Sequence, residues 1–246
     1  MNIKNIGFYG DSFTFGQYLD FYDYGMTPCD DRFIHAINPL KKRCGHTHLP
    51  INHGYPSIQD YIHMGEQHRN WRLNQNDWWR RFMSLVSRRY PTKVGHELNV
   101  DVTSPLHNGM NNHFILEDLQ HDDSDLKIVM LSHPIRDMFD DLMQDEDLMV
   151  YNIKNYYDFI MEKFSKIKNI RFIGSWLDEE DFVELPFYQE RLIPIHGYPS
   201  IYHLRKDSEK QYTIGEDFPI EDYHPSQELH DIIAHDVCEY IRKEFK

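Results

Sequence analysis

The segment DLKIVMLSHP, residues 125–134, is an apolar run of strand length, interrupted only by Lys127 and closed by Ser-His-Pro. A strand that is apolar at successive positions has no face to give to water, so it belongs in a sheet covered on both sides. IKNIGFY (3–9), ELNVDVTS (97–104) and IRFIGSW (170–176) read as further strands. Helical patterns fall between them. In NQNDWWRRFMSLVSRRY, Asn or Asp before Trp78 is the N-cap, and Trp78, Trp79, Phe82, Leu85 and Val86 keep helical spacing until Pro91 stops it. HFILEDLQ (113–120) and VYNIKNYYDFIMEKFSKIKN (150–169) follow, and SQELHDIIAHDVCEYIRKEF (226–245) closes the chain with Ser226 as its cap. Strands alternating with helices imply crossovers and a mainly parallel sheet with helices on both faces. Ligands of such sheets bind beyond the carboxyl ends of the strands.

Two stretches resist this pattern. Residues 17–75 are rich in His, Pro, Gly, Asn and Tyr and have no sustained period, which predicts a long insertion after the first strand. Its aromatics (Tyr18, Phe21, Tyr22, Tyr24, Tyr55, Tyr61) fit either a sugar-stacking wall or a small satellite core. LPFYQERLIPIHGYPSIYHLRKD (185–207) is again irregular. The pentapeptide HGYPS occurs at 53–57 and 196–200, which reads as two similar turns rather than a repeat.

The 246 residues suit one large domain, 1–246, and 40% hydrophobic residues supply an ample core. A net charge of −14 opposes phosphate backbones and anionic membranes, so neither nucleic acid nor a membrane is an expected partner. The four arginines of RRFMSLVSRR are read as the solvated face of a helix. No apolar run approaches the roughly 20 residues that span a bilayer. With no signal-peptide pattern and three cysteines (Cys29, Cys44, Cys238), the expectation is a soluble cytoplasmic protein, or a virion-associated one if phage-encoded. The spacing of Cys44, His46 and His48 matches no common zinc pattern, so no metal or other cofactor is expected.

The first strand runs directly into GDSFTFG (10–16), which places Ser12 where a parallel sheet presents its ligands. A serine hydroxyl needs a base to take its proton and an acid to orient that base. IEDYHPSQELH supplies His224 in a polar loop before the last helix, with Glu221 three residues earlier and Asp222 two. Gly-Asp-Ser near the start combined with acid-x-x-His-Pro-Ser near the end resembles the SGNH (GDSL-type) hydrolase superfamily.

That resemblance implies a three-layer α/β/α flavodoxin-like fold. It makes Ser12 the nucleophile, His224 the general base and Glu221 the acid, where aspartate is usual, with Asp222 as the alternative. The family's oxyanion hole joins the serine N–H, a glycine N–H after the second strand and an asparagine side chain after the third. Such donors are worth roughly 3 kcal/mol each. Gly109 suits the glycine. The asparagine block is missing, since the chain reads HPIRD after KIVMLS; His133, Arg136, Asn111 or Asn112 would have to serve. The implied activity is a carboxylic ester hydrolase acting without a cofactor on short acyl esters, O-acetyl groups of a carbohydrate foremost. The alternatives are a catalytically weakened member used for binding or structure, and a non-hydrolytic domain that binds an anion at the Gly-Asp-Ser turn.

Overall fold

A computed structural model of the chain describes residues 3–10, 14, 16, 19, 21–24, 48–50, 83–105, 112–132, 146–174, 185–218 and 223–245. These form a six-stranded sheet: β1 (Asn5–Tyr9), β2 (His48–Pro50), β3 (Asp101–Pro105), β4 (Leu126–Met130), β5 (Ile170–Ile173) and β6 (Leu192–Ile193). The spatial order is β2-β3-β1-β4-β5-β6. β3, β1, β4, β5 and β6 are parallel throughout, with Ile6 opposite Val102, Phe8 opposite Ile128, Val129 opposite Phe172 and Ile173 opposite Ile193. Only β2 runs antiparallel, as an edge strand on β3. The five parallel strands thus follow the 2-1-3-4-5 order of flavodoxin-like sheets.

The two faces of the sheet explain the apolar runs. Ile6, Phe8, Ile128 and Met130 point to one side, where they pack with Tyr90 and Val94 of α2 (Tyr90–Leu98) and with α8 (Gln227–Glu244). Tyr9, Val129, Ile170 and Phe172 point to the other, against α3 (Asn112–Gln120) and α4 (Glu146–Phe164). Each fully buried Ile or Phe contributes about 1.5–3 kcal/mol. α8 buries Leu229, Ile233, Val237 and Ile241, a stripe at helical spacing. α4 does the same with Tyr157, Ile160, Met161 and Phe164. Three layers result, as the alternation of elements requires.

Several expectations are corrected. Pro91 does not end the helical region. Residues 83–88 are helical, Arg89 breaks the run in an extended conformation, and Pro91 then sits in the first turn of α2, where its missing N–H costs nothing. ELNVDVTS divides likewise: 97–98 finish α2, Asn99 takes a left-handed cap (φ 53°), and the strand starts at Asp101. The stretch 185–207 is ordered rather than irregular, holding α5 (Pro186–Gln189), β6 and α6 (Ile201–Asp207). Its HGYPS copy is a tight turn, with His196 and Gly197 at positive φ and Ser200 capping α6; the copy at 53–57 lies outside the described residues. The arginine reading fails at Arg89, which is completely buried, while Arg88 remains part-exposed and Arg80 and Arg81 lie outside the described residues.

Of the stretch 17–75, the described parts are Leu19, α1 (Phe21–Tyr24) and β2. Cys238 is a buried free thiol, pushed up to about 12 chiefly by burial and then by Glu97. Among the described residues no helix is long and apolar enough to cross a membrane.

Candidate functional site

The chain leaves β1 towards β3 on one side, and β3 connects to β4 on the other. β1 and β4 therefore flank the switch point at which open α/β sheets bind their ligands. Gly10 ends β1 at this point. A β-carbon on Gly10 would overlap the Thr14 side chain and lie 3.2 Å from the carbonyl oxygen of Met130 at the end of β4. Ser12 and Asp11 lie outside the described residues, but the anchors on either side of them are fixed. Thr14 is completely buried, and its Oγ1 is 3.0 Å from the Tyr90 hydroxyl. Gly16 takes φ +84° where the chain passes Arg89, whose Cβ would be 2.9 Å from an added β-carbon. Both glycines of GDSFTFG are therefore required by close packing.

The Tyr90 ring continues this anchor into the core. It meets Phe8 edge-on at 5.6 Å and stacks on His230 of α8 at 5.7 Å. The Tyr90 N–H, the first of α2, donates to Nδ1 of His230 over 3.2 Å, so a residue 140 positions away caps this helix. His230 is fully buried, and its Nε2 has no partner among the described residues. Burial foremost, then Lys93, Arg89 and His224, lower its pKa to about 3. It stands neutral, with the proton on Nε2.

His224 lies in the loop that enters α8 and is half-buried. Its carbonyl accepts the Ile214 N–H at 2.8 Å, Pro225 bridges to Thr213, and the Ser226 N–H donates to the Tyr212 carbonyl at 2.8 Å. The 213–218 segment beneath it is itself braced, since Glu216 Oε2 accepts the Thr213 N–H at 3.1 Å at the start of α7 (Ile214–Asp217). Ser226 caps α8 as expected, accepting from Leu229 N–H. Glu221 and Asp222 fall within 219–222, outside the described residues, and the structure does not discriminate between them.

A polar clamp joins the two ends of the chain here. The Tyr22 hydroxyl donates to Asp217 Oδ2 and accepts the Gln227 N–H at 3.1 Å, across 205 residues of sequence. The Tyr22 ring packs edge-on against Phe218 at 5.1 Å, with the Arg88 guanidinium 5.6 Å from its centroid. Burial and the Asp217 carboxylate raise the Tyr22 pKa, so its hydroxyl stays protonated. Next to it, Arg88 pairs with Asp23 and donates to Gln227 Oε1 at 3.1 Å, and Gln227 Nε2 returns a bond to the Arg88 carbonyl at 3.1 Å. That pairing, with a bond from Ser84, holds Asp23 below the usual carboxylate range.

Of the oxyanion candidates, Gly109, Asn111, His133 and Arg136 lie outside the described residues. Asn112 is described and completely buried at the start of α3. Its Nδ2 donates to the Ser132 carbonyl and its Oδ1 accepts the Ser132 N–H, both at 2.8 Å. This two-bond clasp ties the start of α3 to the chain just beyond β4. The buried Ser132 Oγ beside it has no partner among the described residues.

The sequence motifs point to Ser12 and His224 but carry no mark of most of what holds the described segments beside them. Thr14, Tyr90 and His230 carry no local signal beyond the threonine of GDSFTFG. The sequence reads Tyr22 as part of either a sugar-stacking wall or a small satellite core; its ring packs on Phe218, and its hydroxyl is engaged by Asp217 and Gln227. The potential zinc ligands Cys29, Cys44 and His46 lie outside the described residues, as does the side chain of His48. Among the described residues, no cluster of three or more His, Cys, Asp or Glu forms a metal site. Compared with protein-family models, with curated proteins and with solved structures, the chain matches none.

Proposed function

We propose that the chain is a serine esterase of SGNH type that removes short acyl groups, O-acetyl esters of a carbohydrate foremost. The observation that carries this reading is the meeting of Tyr22 with Gln227: the segment that follows Gly-Asp-Ser is hydrogen-bonded to the first turn of α8, three residues beyond His224. A serine on the first of these segments and a histidine before the second would supply the hydroxyl and the imidazole that nucleophilic acyl transfer needs.

In this mechanism Ser12 Oγ attacks the ester carbonyl carbon while His224 takes the hydroxyl proton. The tetrahedral oxyanion is met by backbone N–H groups, those of Ser12 and Gly109 being the candidates, with Asn111 as a further donor. Collapse breaks the C–O bond, and His224 returns the proton to the leaving alcohol. Water, deprotonated by His224, then attacks the acyl-serine, releasing a carboxylic acid and restoring Ser12. Glu221, or Asp222, holds the imidazole in the productive tautomer. No step calls for a metal or redox cofactor.

A second reading, a weakened relative that binds an ester or glycan without turnover, is favoured by one observation. The Asn112 amide, one of the candidate oxyanion donors, is clasped on the Ser132 backbone. Hydrolysis of p-nitrophenyl acetate by wild type, Ser12→Ala and His224→Ala separates the two. The esterase reading predicts turnover in the wild type that falls at least 100-fold in both variants. Equal rates in folded wild type and Ser12→Ala would overturn it, and glycan binding without turnover would establish the second reading.

A further inference from the structure

We propose that Tyr22 is a positioning residue that couples α1, the helix that follows GDSFTFG, to the His224 loop, so that its hydroxyl holds the His224 imidazole in place. This rests on the esterase reading for its catalytic consequence, but the coupling itself is a structural claim that stands apart from it.

Tyr22 is on α1, ten residues after Ser12 and six after Gly16. The intervening chain is pinned at Thr14 by Tyr90, and Leu19 is completely buried in the core. The Leu19 N–H donates to the Gly16 carbonyl at 3.2 Å and the Tyr22 N–H to the Leu19 carbonyl at 3.4 Å, so Gly16, Leu19 and Tyr22 are linked in series. A displacement of α1 is thus passed back to Gly16, which closes GDSFTFG. On the other side, the Tyr22 hydroxyl takes the N–H of Gln227, one of the first-turn donors of α8, whose cap Ser226 follows His224-Pro225 directly.

Its remaining bond is to Asp217, on the short helix whose first N–H, from Ile214, holds the His224 carbonyl. One phenol oxygen therefore contacts both supports of the His224 loop, α7 below and α8 beyond. The hydroxyl donates its single proton to the carboxylate and accepts at its lone pair, so neither contact survives its removal. Arg88, Asp23 and Ser84 brace the same segment without touching the hydroxyl. Loss of the phenol oxygen would leave α1 docked and release only this link. Positional errors near 1 Å in a reacting pair cost about 100-fold in rate.

The test compares wild type with Tyr22→Phe, which keeps the ring on Phe218, with Asp217→Asn, which keeps an acceptor for the hydroxyl, and with Asp217→Ala. Two readouts are taken on each: kcat and KM on p-nitrophenyl acetate, and the imidazole signals of His224 in ¹⁵N-labelled protein, assigned by the loss of signals in His224→Gln. Coupling predicts that Tyr22→Phe lowers kcat at least ten-fold, leaves KM within two-fold and shifts the His224 signals. Asp217→Ala follows it, and Asp217→Asn stays within three-fold of wild type. Unchanged kcat and unchanged His224 signals in Tyr22→Phe, even with a lowered Tm, would overturn the coupling. If Ser12→Ala shows that the esterase reading is wrong, the His224 signals alone decide: a shift in Tyr22→Phe upholds the coupling and no shift ends it. If Tyr22→Phe does not fold, the pair Asp217→Ala and Asp217→Asn carries the same comparison.

Discussion

At Gly10 a hydrogen stands where any side chain would collide with Thr14, and Thr14 is itself fixed by the Tyr90 hydroxyl. Gly10→Ala must push Thr14 outward and break that contact, an overpacking cost of roughly 1–3 kcal/mol, readable as a lowered urea midpoint at unchanged m-value. His230 makes a second prediction, one about acid. Its pKa, about 3 when folded, lies below the 6.5 of an exposed histidine. The unfolded chain therefore binds a proton that the native state refuses between those values. The contribution of His230 is fully present above pH 6.5 and declines as pH falls towards 3, by up to about 1.4 kcal/mol per pH unit. His230→Gln retains an acceptor for the Tyr90 N–H but has no proton to bind, so its Tm is expected to fall less steeply than that of the wild type between pH 6 and pH 4. Parallel profiles would show that His230 does not set the acid limit.

At the scale of elements, α8 was the most legible part of the chain and α2 among the least. α8 declares its start with Ser226 and its buried face with a Leu-Ile-Val-Ile stripe, both local signals. Ser226→Ala removes the acceptor for the Leu229 N–H and is expected to cost about 1 kcal/mol in denaturant unfolding, with α8 otherwise intact. α2 hides its start. Its N-cap, Arg89, makes no side-chain cap bond, and the first N–H is satisfied by His230 from the far end of the chain. A proline that reads as a stop in the sequence is then the second residue of a new helix. β6 and α6 were missed for a related reason. A two-residue strand and a seven-residue helix give too few turns for a period to show, and their stability comes from burial of Ile193, Ile201 and Leu204 in the core.

For the whole molecule, the near-continuous apolar runs fixed the class, because strands such as β4 can be satisfied only between two layers of helices. Strand order was not legible: nothing in the residues of β3 says that it pairs with β1 rather than β4. At the candidate site, Ser12 and His224 stand out in the sequence because each is embedded in a short motif; of the two, His224 lies among the described residues, at the entry to α8. The Tyr22–Gln227 and Tyr90–His230 contacts do not stand out, since pairs 205 and 140 residues apart leave no mark on local composition. Charge misled at Arg89, because a guanidinium in a basic run reads as solvent-facing, whereas here Gly16 and the core close over it. The proposed esterase is tested most directly at Ser12. Incubation of the folded protein with a fluorophosphonate, followed by intact-mass and peptide analysis, is predicted to give one adduct, on Ser12, absent from Ser12→Ala and at least 100-fold slower to form in His224→Ala. Folded wild type left unmodified, or Ser12→Ala labelled at the wild-type rate, would contradict it.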